Sequence, residues 1–368
     1  MIKQSITPNI DGLNFSLNDI ETAKKENKPM LLTLYTRGIC NVKCPSCFIE
    51  ASDEKFNELT IKQYYNILKE AKDLGIKSIK ISGAGEPLMD DRILDIAQYI
   101  KELGMKCIIY TNGTFLGDDN LSYKIHHMSS LELIEKLFSL DVSIVLKFNS
   151  FKAEVQDYFV GVKGSGKKIK KGLDNLLYIH YNDTKNNAHK LAIQSILTPH
   201  NIEEIPHMYR FARNNNIFPY FETVLKKGNA VENPNLYLTN EQIKDIFYRL
   251  LTIDQEEFNI EWFPAPSFVG FFCAELYYSM LIDNFGYLKP CAGINISLDN
   301  YHENSLKNLW SNEWLVNLRN IDKNIKGACK SCEHRLKSCF YGCRGDAFLN
   351  TNDVFGNYNE CWWGKENV

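Results

Sequence analysis

No part of this chain is apolar over the ~18 residues that a membrane-spanning helix needs, and residues 1–15 lack the basic-then-apolar layout of a secretory signal peptide. The net charge of −3 provides no basic field for nucleic acid, and the lysine-rich run at 167–171 is typical of a solvated helix face. Hydrophobic residues at 44% and charged residues at 24% are ordinary for a globular protein, and 368 residues are enough for two domains. These features predict a cytoplasmic protein that binds neither membrane nor nucleic acid.

Cysteine, in contrast, is abundant. The chain has eleven cysteines, and most of them are bunched near the start and the end. A disulfide framework belongs to short secreted chains, so bunched cysteines in a long chain without an export signal indicate metal binding.

The first bunch is Cys40, Cys44 and Cys47, which have C-x3-C-x2-C spacing directly after an apolar stretch at 30–35. Short spacers let the backbone curl so that three thiolates face one metal centre. Thiolates suit iron–sulfur clusters, which normally take four protein ligands. Because three are offered here, a cubane [4Fe–4S] cluster would keep one iron free for a substrate or cofactor. A zinc loop or a group of reduced thiols is the alternative.

This spacing, followed by the aromatic Phe48, resembles the signature of the radical S-adenosylmethionine (SAM) superfamily. The resemblance implies that SAM binds the free iron through its amino and carboxylate groups. It also implies that an electron from the cluster cleaves SAM to methionine and a 5′-deoxyadenosyl radical.

Strand-like and helix-like stretches alternate from Leu31 to about Val224. Apolar runs predict strands at 31–35, 78–82, 106–111, 142–148, 190–197 and 218–224. Helical spacing predicts helices at 60–74, 91–103, 131–140, 168–179 and 202–215. Repeated βα units imply a parallel sheet, and the region is shorter than the ~250 residues of a full barrel. An α/β fold with a partial, six-stranded β/α barrel is expected, which is also the fold of the radical SAM family.

Catalytic and binding residues of parallel α/β folds lie at the C-terminal ends of strands. The candidates at those ends are Gly83, Ala84, Gly85, Glu86 and Pro87 after the second strand, Asn112 after the third, Lys147, Asn149 and Ser150 at the fourth, and Glu222 at the sixth.

The turn at 83–87 resembles the family's Gly-Gly-Glu-Pro motif, with Ala84 in place of one glycine. By resemblance its carbonyls and Glu86 would bind the ammonium group of SAM, while Phe48 and Asn112 also belong to the cofactor site. The resemblance further places Lys147, Asn149 and Ser150 near the ribose and carboxylate of SAM. A plain turn and a polar strand end are the alternatives. Glu222 is the candidate catalytic residue, and a solvated strand-end carboxylate is the alternative.

The second bunch contains seven cysteines between Cys273 and Cys361. Their order, C, a gap, G-x4-C, C-x2-C-x6-C-x3-C and a final C, resembles the SPASM domain of the radical SAM superfamily. One spacer has six residues where the family has five. Structural zinc knuckles are the alternative.

The resemblance implies two auxiliary [4Fe–4S] clusters in a small, cysteine-rich α+β domain. The distal cluster would be held by Cys329, Cys332, Cys339 and Cys361, and the proximal cluster by Cys273, Cys291 and Cys343. Some relatives have a further cysteine upstream, which residues 261–272 lack. The fourth position is thus open to Glu261, Ser267 or Glu275, to substrate, or to water.

The expected organisation is an N-terminal extension at 1–30, a radical SAM barrel at 31–230, a bridge at 231–260 with a helix at 240–252, and a SPASM domain at 261–368. The extension contains a short helix at 18–26, capped by Asn18. It is too short for the recognition domain that many peptide-modifying relatives carry at this end.

The leading hypothesis is an oxidoreductase that removes hydrogen from a peptide or protein side chain, giving an oxidised residue or a C–C or C–S crosslink. The strand-four ending at 145–150 is closer to relatives that act on sugar- or nucleoside-like molecules, so that substrate class is the alternative. An iron–sulfur electron carrier is the non-enzymatic alternative. The resemblance also implies an electron donor such as flavodoxin or ferredoxin and, for a peptide substrate, a separate peptide-recognition protein.

Overall fold

The computed structural model describes residues 9–13, 15–49, 57–183 and 188–363. The strands are β1 Asn9–Ile10, β2 Leu31–Leu34, β3 Ser78–Ile81, β4 Lys106–Thr111, β5 Val142–Lys147, β6 Ala188–His189, β7 Leu191–Leu197, β8 Phe218–Thr223, β9 Ser279–Ile282, β10 Tyr287–Lys289 and β11 Asp299–Asn300. The helices are α1 Leu17–Glu26, α2 Ile61–Asp73, α3 Ile93–Glu102, α4 Asp119–His126, α5 Ser130–Ser139, α6 Ala153–Val160, α7 Ser165–Tyr178, α8 Ile205–Asn214, α9 Asn240–Phe258, α10 Leu306–Trp310, α11 Glu313–Arg319, α12 Ile321–Asn324, α13 Ala328–Ser331 and α14 Arg344–Thr351.

Six parallel strands in the order β2-β3-β4-β5-β7-β8 form the partial barrel. They are the six strands that the apolar runs predict, with ends that differ by a residue at most. The prediction of a partial β/α barrel is confirmed.

Alternate residues of a strand point to opposite faces of the sheet. In β4 and β8, Ile109 and Phe221 join the large core that packs against the helices, whereas Tyr110 and Tyr220 join a second cluster inside the barrel. Phe268, from the C-terminal region, packs against this inner cluster. The interior of the barrel, here called the lumen, is therefore partly filled with aromatic side chains.

The sheet does not stop at β2. Strand β9 pairs with β2 in parallel, and β10 and β11 extend the sheet further as antiparallel strands, so that nine strands are continuous. At the opposite edge, Phe268 bridges to Glu222 of β8, flanked by bonds from the Thr223 N–H to the Ser267 carbonyl (3.0 Å) and from the Val269 N–H to the Phe221 carbonyl (2.9 Å). The C-terminal region thus contacts both edges of the barrel sheet, and the expected boundary at residue 261 falls within one connected structure.

Helix boundaries agree less closely with the sequence. The prediction that Asn18 caps α1 is wrong, because Ser16 is the N-cap and forms a capping box with Asp19. Helix α9 continues beyond the expected end to Phe258, where Asn259 adopts the left-handed conformation. Helices α4 and α6 of the barrel and α10 to α14 of the C-terminal region had no counterpart in the sequence analysis. In the described part of the chain, no helix is long and apolar enough to cross a bilayer, and the cytoplasmic location stays a prediction.

Candidate active site

The loop after β2 contains Cys40, Cys44 and Cys47 within electrostatic reach of one another. The pKa of Cys44 is raised to about 12, chiefly by burial; Lys147 opposes this rise, and the neighbouring Cys47 and Cys40 thiolates contribute to it. Burial also raises the pKa of Cys40 to about 11, with Glu86 the next contributor. A thiolate in this loop therefore needs a bound cation to be stable, which is what a metal cluster provides.

Residues 226–233, here called the strap, form hydrogen bonds with the cysteine loop. The Asn229 backbone N–H donates to the Cys47 carbonyl at 2.9 Å, and its side-chain amide donates to the Cys44 carbonyl at 3.1 Å. Gly228 has a φ of +58°, and a Cβ there would lie 2.5 Å from the Cys47 carbonyl oxygen. The Asn233 amide donates to the Pro45 carbonyl at 3.3 Å. The sequence analysis missed these residues, because nothing in the sequence indicates which segment folds back on the loop.

Two strap lysines reach the C-terminal cysteine region. Lys226 forms an ion pair with Glu360 at 2.8 Å, next to Cys361. Lys227 donates to the Ala292 carbonyl at 2.8 Å, next to Cys291. The strap therefore contacts the neighbourhoods of all three groups of cysteines.

The turn at 83–87 lies against the same cysteine loop. A Cβ at Gly85 would lie 1.9 Å from the Ile39 carbonyl oxygen, so only glycine fits. The Glu86 carboxylate is buried and accepts bonds from the Thr111 hydroxyl at 2.6 Å, the Asn112 N–H at 2.7 Å and the Leu88 N–H at 3.1 Å. Glu86 thus joins the ends of β3 and β4. Three internal bonds leave it few lone pairs for a ligand.

Gly83, Ala84 and Pro87 complete that turn. The Gly83 carbonyl accepts the Thr36 N–H at 2.5 Å, and the Ala84 N–H donates to the Thr36 carbonyl at 3.4 Å. Pro87 begins a short 3-10 helix, Pro87–Met89, and is buried. These contacts fix the turn against the end of β2.

Asn112 connects the end of β4 to the cysteine loop. Its side-chain amide donates to Asn41 Oδ1 at 3.0 Å, and its Oδ1 accepts the Thr114 N–H at 2.9 Å and the Thr114 hydroxyl at 2.7 Å. Asn41 in turn donates to the Thr114 hydroxyl at 2.9 Å. Asn112 therefore positions the residue that follows Cys40.

The polar side chains at the end of β5 lie in two different environments. Asn149 Oδ1 accepts the Ile196 N–H at 3.0 Å, and the buried Ser150 hydroxyl donates to Glu204 at 2.5 Å. Both side chains thus bind neighbouring elements of the barrel. Lys147 instead lies near the cysteine loop, where its charge lowers the pKa of Cys44 against the effect of burial.

Glu222, at the end of β8, lies beside Gln194 of β7. The Gln194 side-chain amide donates to Glu222 Oε1, and burial raises the pKa of Glu222 to about 7 although Gln194, Lys147 and Lys80 lower it. Gln194 Oε1 is buried and has no hydrogen-bond partner among the described residues. Gln194 and Lys80 were missed by the sequence analysis, although their inward positions follow from strand alternation.

Phe48 follows the third cysteine and is half-buried. The Lys227 ammonium lies 5.9 Å from the centre of its ring. This contact places Phe48 between the cysteine loop and the strap.

The four cysteines expected to hold a distal cluster surround one cavity of about 340 Å³. Its lining includes Cys329, Cys332, Cys339, Cys361 and the Arg335 side chain. The pKa of Cys339 is raised to about 11, chiefly by burial, and the Cys361 and Cys329 thiolates contribute to the rise. The donor set and the cavity fit a thiolate-ligated cluster.

The three remaining cysteines converge nearer the barrel. Burial raises the pKa of Cys273 well above its usual range, with Glu275, Cys343 and Cys291 as the next contributors. The Glu275 carboxylate forms an ion pair with Lys80. Cys107 lies apart, fully buried in β4.

In the described ranges the thiols form neither a disulfide nor a compact site for one metal ion. No disulfide joins the eleven cysteines, and no three potential ligands in the described ranges converge on a single metal ion. Thiolates around one zinc at ~2.3 Å must nearly touch one another, whereas a cubane spreads its ligands over separate irons.

Comparison with known families agrees with this geometry. Residues 34–212 match the radical SAM superfamily, and residues 273–333 match the iron–sulfur cluster-binding domain named SPASM. The chain belongs to the radical SAM superfamily and carries a SPASM domain. It is therefore an enzyme, with a SAM-binding [4Fe–4S] cluster and auxiliary clusters.

Individual relatives are distant but cover most of the chain. The AdoMet-dependent heme synthase of Methanosarcina barkeri is 22% identical over 372 aligned positions, 91% of this chain and 97% of that protein. The antilisterial bacteriocin subtilosin biosynthesis protein AlbA of Bacillus subtilis is 24% identical over 369 positions, 96% of this chain and 76% of that protein. SuiB of Streptococcus suis, solved with the precursor peptide SuiA, superposes with a TM-score of 0.68 at 22% identity, covering 93% of this chain and 78% of that chain. The likeness to SuiB shows a shared fold.

Proposed function

We propose that this chain is a radical SAM/SPASM oxidoreductase that oxidises or crosslinks a side chain of a peptide or protein. Cys40, Cys44 and Cys47 hold the SAM-binding cluster, and the seven C-terminal cysteines hold two auxiliary clusters. The chemistry that the first cluster and SAM supply when bound is removal of a hydrogen atom from an unactivated carbon.

The lumen offers polar contacts that a peptide substrate can use. It contains Glu222, which lies within electrostatic reach of Lys147, and Gln194, whose buried Oε1 has no hydrogen-bond partner among the described residues. Such an oxygen is costly unless a ligand donates an N–H or O–H to it, and a peptide amide meets that need. The bacteriocin biosynthesis protein AlbA, and SuiB, which was solved with the precursor peptide SuiA bound, support the same substrate class.

Glu222 is the proposed proton acceptor. Completing a two-electron oxidation after hydrogen-atom removal requires that the substrate lose one electron, which an auxiliary cluster would accept, and one proton. Gln194 holds Glu222 Oε1, which leaves Oε2 to take the proton, and a pKa of about 7 suits this transfer at neutral pH.

A sugar- or nucleoside-like molecule is the second candidate. Hydroxyl groups could equally donate to Gln194 Oε1, and Lys147 could bind an anionic group. This alternative predicts the same radical chemistry and the same dependence on the cluster.

The test is deuterium transfer. Anaerobically reconstituted enzyme is given SAM, dithionite and an extract of the source cells grown in D2O, and 5′-deoxyadenosine is analysed by mass spectrometry. We expect deuterium in 5′-deoxyadenosine with the macromolecular fraction, lost when that fraction is first digested with protease. Transfer from the small-molecule fraction instead would reject the peptide. The Cys44→Ala variant is the control, and absence of 5′-deoxyadenosine from the wild type would reject the enzyme assignment.

A further inference from the structure

The cavity of about 340 Å³ in the C-terminal region, here called the distal cavity, is lined by Cys329, Cys332, Cys339 and Cys361. Among the described residues that line it, Arg335 is the only arginine, lysine, aspartate or glutamate. We propose that Arg335 raises the reduction potential of the cluster bound in this cavity, so that the cluster accepts an electron more readily. The proposal rests on the proposed function, in which the four cysteines hold an auxiliary cluster.

The chain around Arg335 is folded onto the cysteines of the distal cavity. The Arg335 N–H donates to the Cys332 carbonyl at 3.2 Å, and Arg335 pairs with Cys339 in an isolated β-bridge. The guanidinium Nη1 donates to the carbonyl of Lys330, the residue that follows Cys329. The side chain thus turns back toward Cys329, while the residue lines the cavity.

Two carboxylates are bonded to tyrosines that line the distal cavity, and each of them has a lysine partner. Asp322 accepts one tyrosine hydroxyl at 3.0 Å and forms an ion pair with Lys24 at 2.6 Å. Glu360 accepts another at 3.3 Å and forms an ion pair with Lys226 at 2.8 Å. In the part of the chain that the structure describes, Arg335 forms no ion pair with a carboxylate. Its charge is therefore available to act on a cluster in the cavity.

This charge changes the energy of reduction. A cluster held by four thiolates is negatively charged, and reduction adds an electron to that charge. A nearby cation stabilises the reduced state more than the oxidised state, because the Coulomb energy grows with the charge on the cluster. Arg335 is half-buried, which limits screening by salt. In the proposed oxidation the electron lost by the substrate reduces an auxiliary cluster, and Arg335 favours the distal one as the acceptor.

The test is a potentiometric titration followed by electron paramagnetic resonance. Full-length protein with Cys40→Ala, Cys44→Ala and Cys47→Ala is reconstituted with iron and sulfide, so that only the auxiliary clusters contribute signals. In this background, Arg335→Gln should lower the midpoint potential of one auxiliary cluster and leave that of the other unchanged. The expected shift is about tenfold in the reduction equilibrium constant, or ~59 mV for one electron. Arg335→Lys keeps the charge and should keep most of the potential.

Lys337→Gln is the matched control, because Lys337 lies in the same loop but is exposed, so that solvent screens its charge. Cys332→Ala assigns the signals, since it should remove or alter the one that Arg335→Gln shifts. The proposal is overturned if Arg335→Gln shifts neither cluster more than Lys337→Gln does, if it shifts only the other signal, or if Arg335→Lys shifts the potential equally far. Arg335→Met takes the place of Arg335→Gln if that variant binds less iron. A wild type that takes up no iron would instead reject the proposed function.

Discussion

Single residues of this chain carry two kinds of constraint, one steric and one electrostatic. The rim of the barrel shows both. The space around Gly85 excludes a side chain, and burial raises the pKa of the Glu222 carboxyl group. Each leads to a measurement that does not depend on knowing the substrate.

Glu222 is expected to titrate near neutrality. Burial raises its pKa from the ordinary 4.5 to about 7, and the hydrogen bond from Gln194 opposes that rise. Gln194→Leu should therefore move the pKa above 7. The measurement is the carboxyl stretch in infrared difference spectra between pH 5 and 9, with Glu222→Gln as the baseline. An unchanged midpoint in Gln194→Leu would contradict the hydrogen bond.

The sign of the stability effect follows from the same shift. The folded state binds the Glu222 proton more tightly than the unfolded state. The contribution of the Glu222 proton to the free energy of unfolding is fully present below pH 4.5 and is lost as the pH rises through about 7. In Glu222→Gln, the free energy of unfolding, measured by urea denaturation at several pH values, should change less between pH 4.5 and about 7 than in the wild type.

Gly85→Ala should impair SAM binding. The added methyl would overlap the Ile39 carbonyl oxygen, 1.9 Å away, and overpacking of this kind costs about 1–3 kcal/mol. Because Ile39 precedes Cys40, the displacement falls on the cysteine loop. SAM affinity is measured by equilibrium dialysis with the reconstituted protein. Gly75→Ala is the control: its left-handed φ of +83° adds strain, but nothing lies within 4 Å of the new Cβ, so SAM binding should be kept.

The sequence predicted those parts of the site that depend on residue type and short spacing. The ten cysteines assigned to clusters, the turn at 83–87 and Glu222 could be proposed because each motif is local in the chain. Gln194 and Lys80 could not be singled out, because a polar residue in a strand has no role until its neighbours are known. The ion pair of Lys80 with Glu275 joins residues 195 apart.

At the scale of elements, the strap is the feature that periodicity did not predict. Its Asn229 makes two bonds to the cysteine loop, at 2.9 and 3.1 Å. The side-chain bond is the one that a substitution can remove.

Asn229→Ala should loosen the cysteine loop. A hydrogen bond of this kind contributes about 1 kcal/mol, so iron should leave the first cluster several-fold faster in the presence of a chelator. Loss is followed by the decay of iron–sulfur absorbance under anaerobic conditions. Asn235→Ala is the matched control, since that exposed asparagine donates to the Tyr158 hydroxyl at 2.7 Å and not to the loop. Equal decay in the two variants would argue against the role of the strap.

The six barrel strands were predictable because buried parallel strands form continuous apolar runs. Helices α4 and α6 were missed because each has eight residues, too few for a clear periodic pattern. The pairing of β9 with β2 was not predictable, since no local signal specifies a partner so far along the chain.

For the whole molecule, the continuous sheet predicts one unfolding transition. All five tryptophans lie at or after position 262, so their fluorescence reports the C-terminal region, whereas circular dichroism at 222 nm is dominated by the barrel helices. Because β9 is hydrogen-bonded to β2, the two signals should change at the same urea concentration. Measured midpoints that differ would mean that the expected domains at 31–230 and 261–368 unfold independently.

The position of β9 also bears on biosynthesis. When β2 leaves the ribosome, its neighbour on one side, residues 279–282, has not yet been made. At the ~5–20 residues per second of translation, β2 waits on the order of tens of seconds for that neighbour. During this interval the nascent chain exposes an unpaired apolar edge and lacks the seven cysteines that lie near its C-terminus.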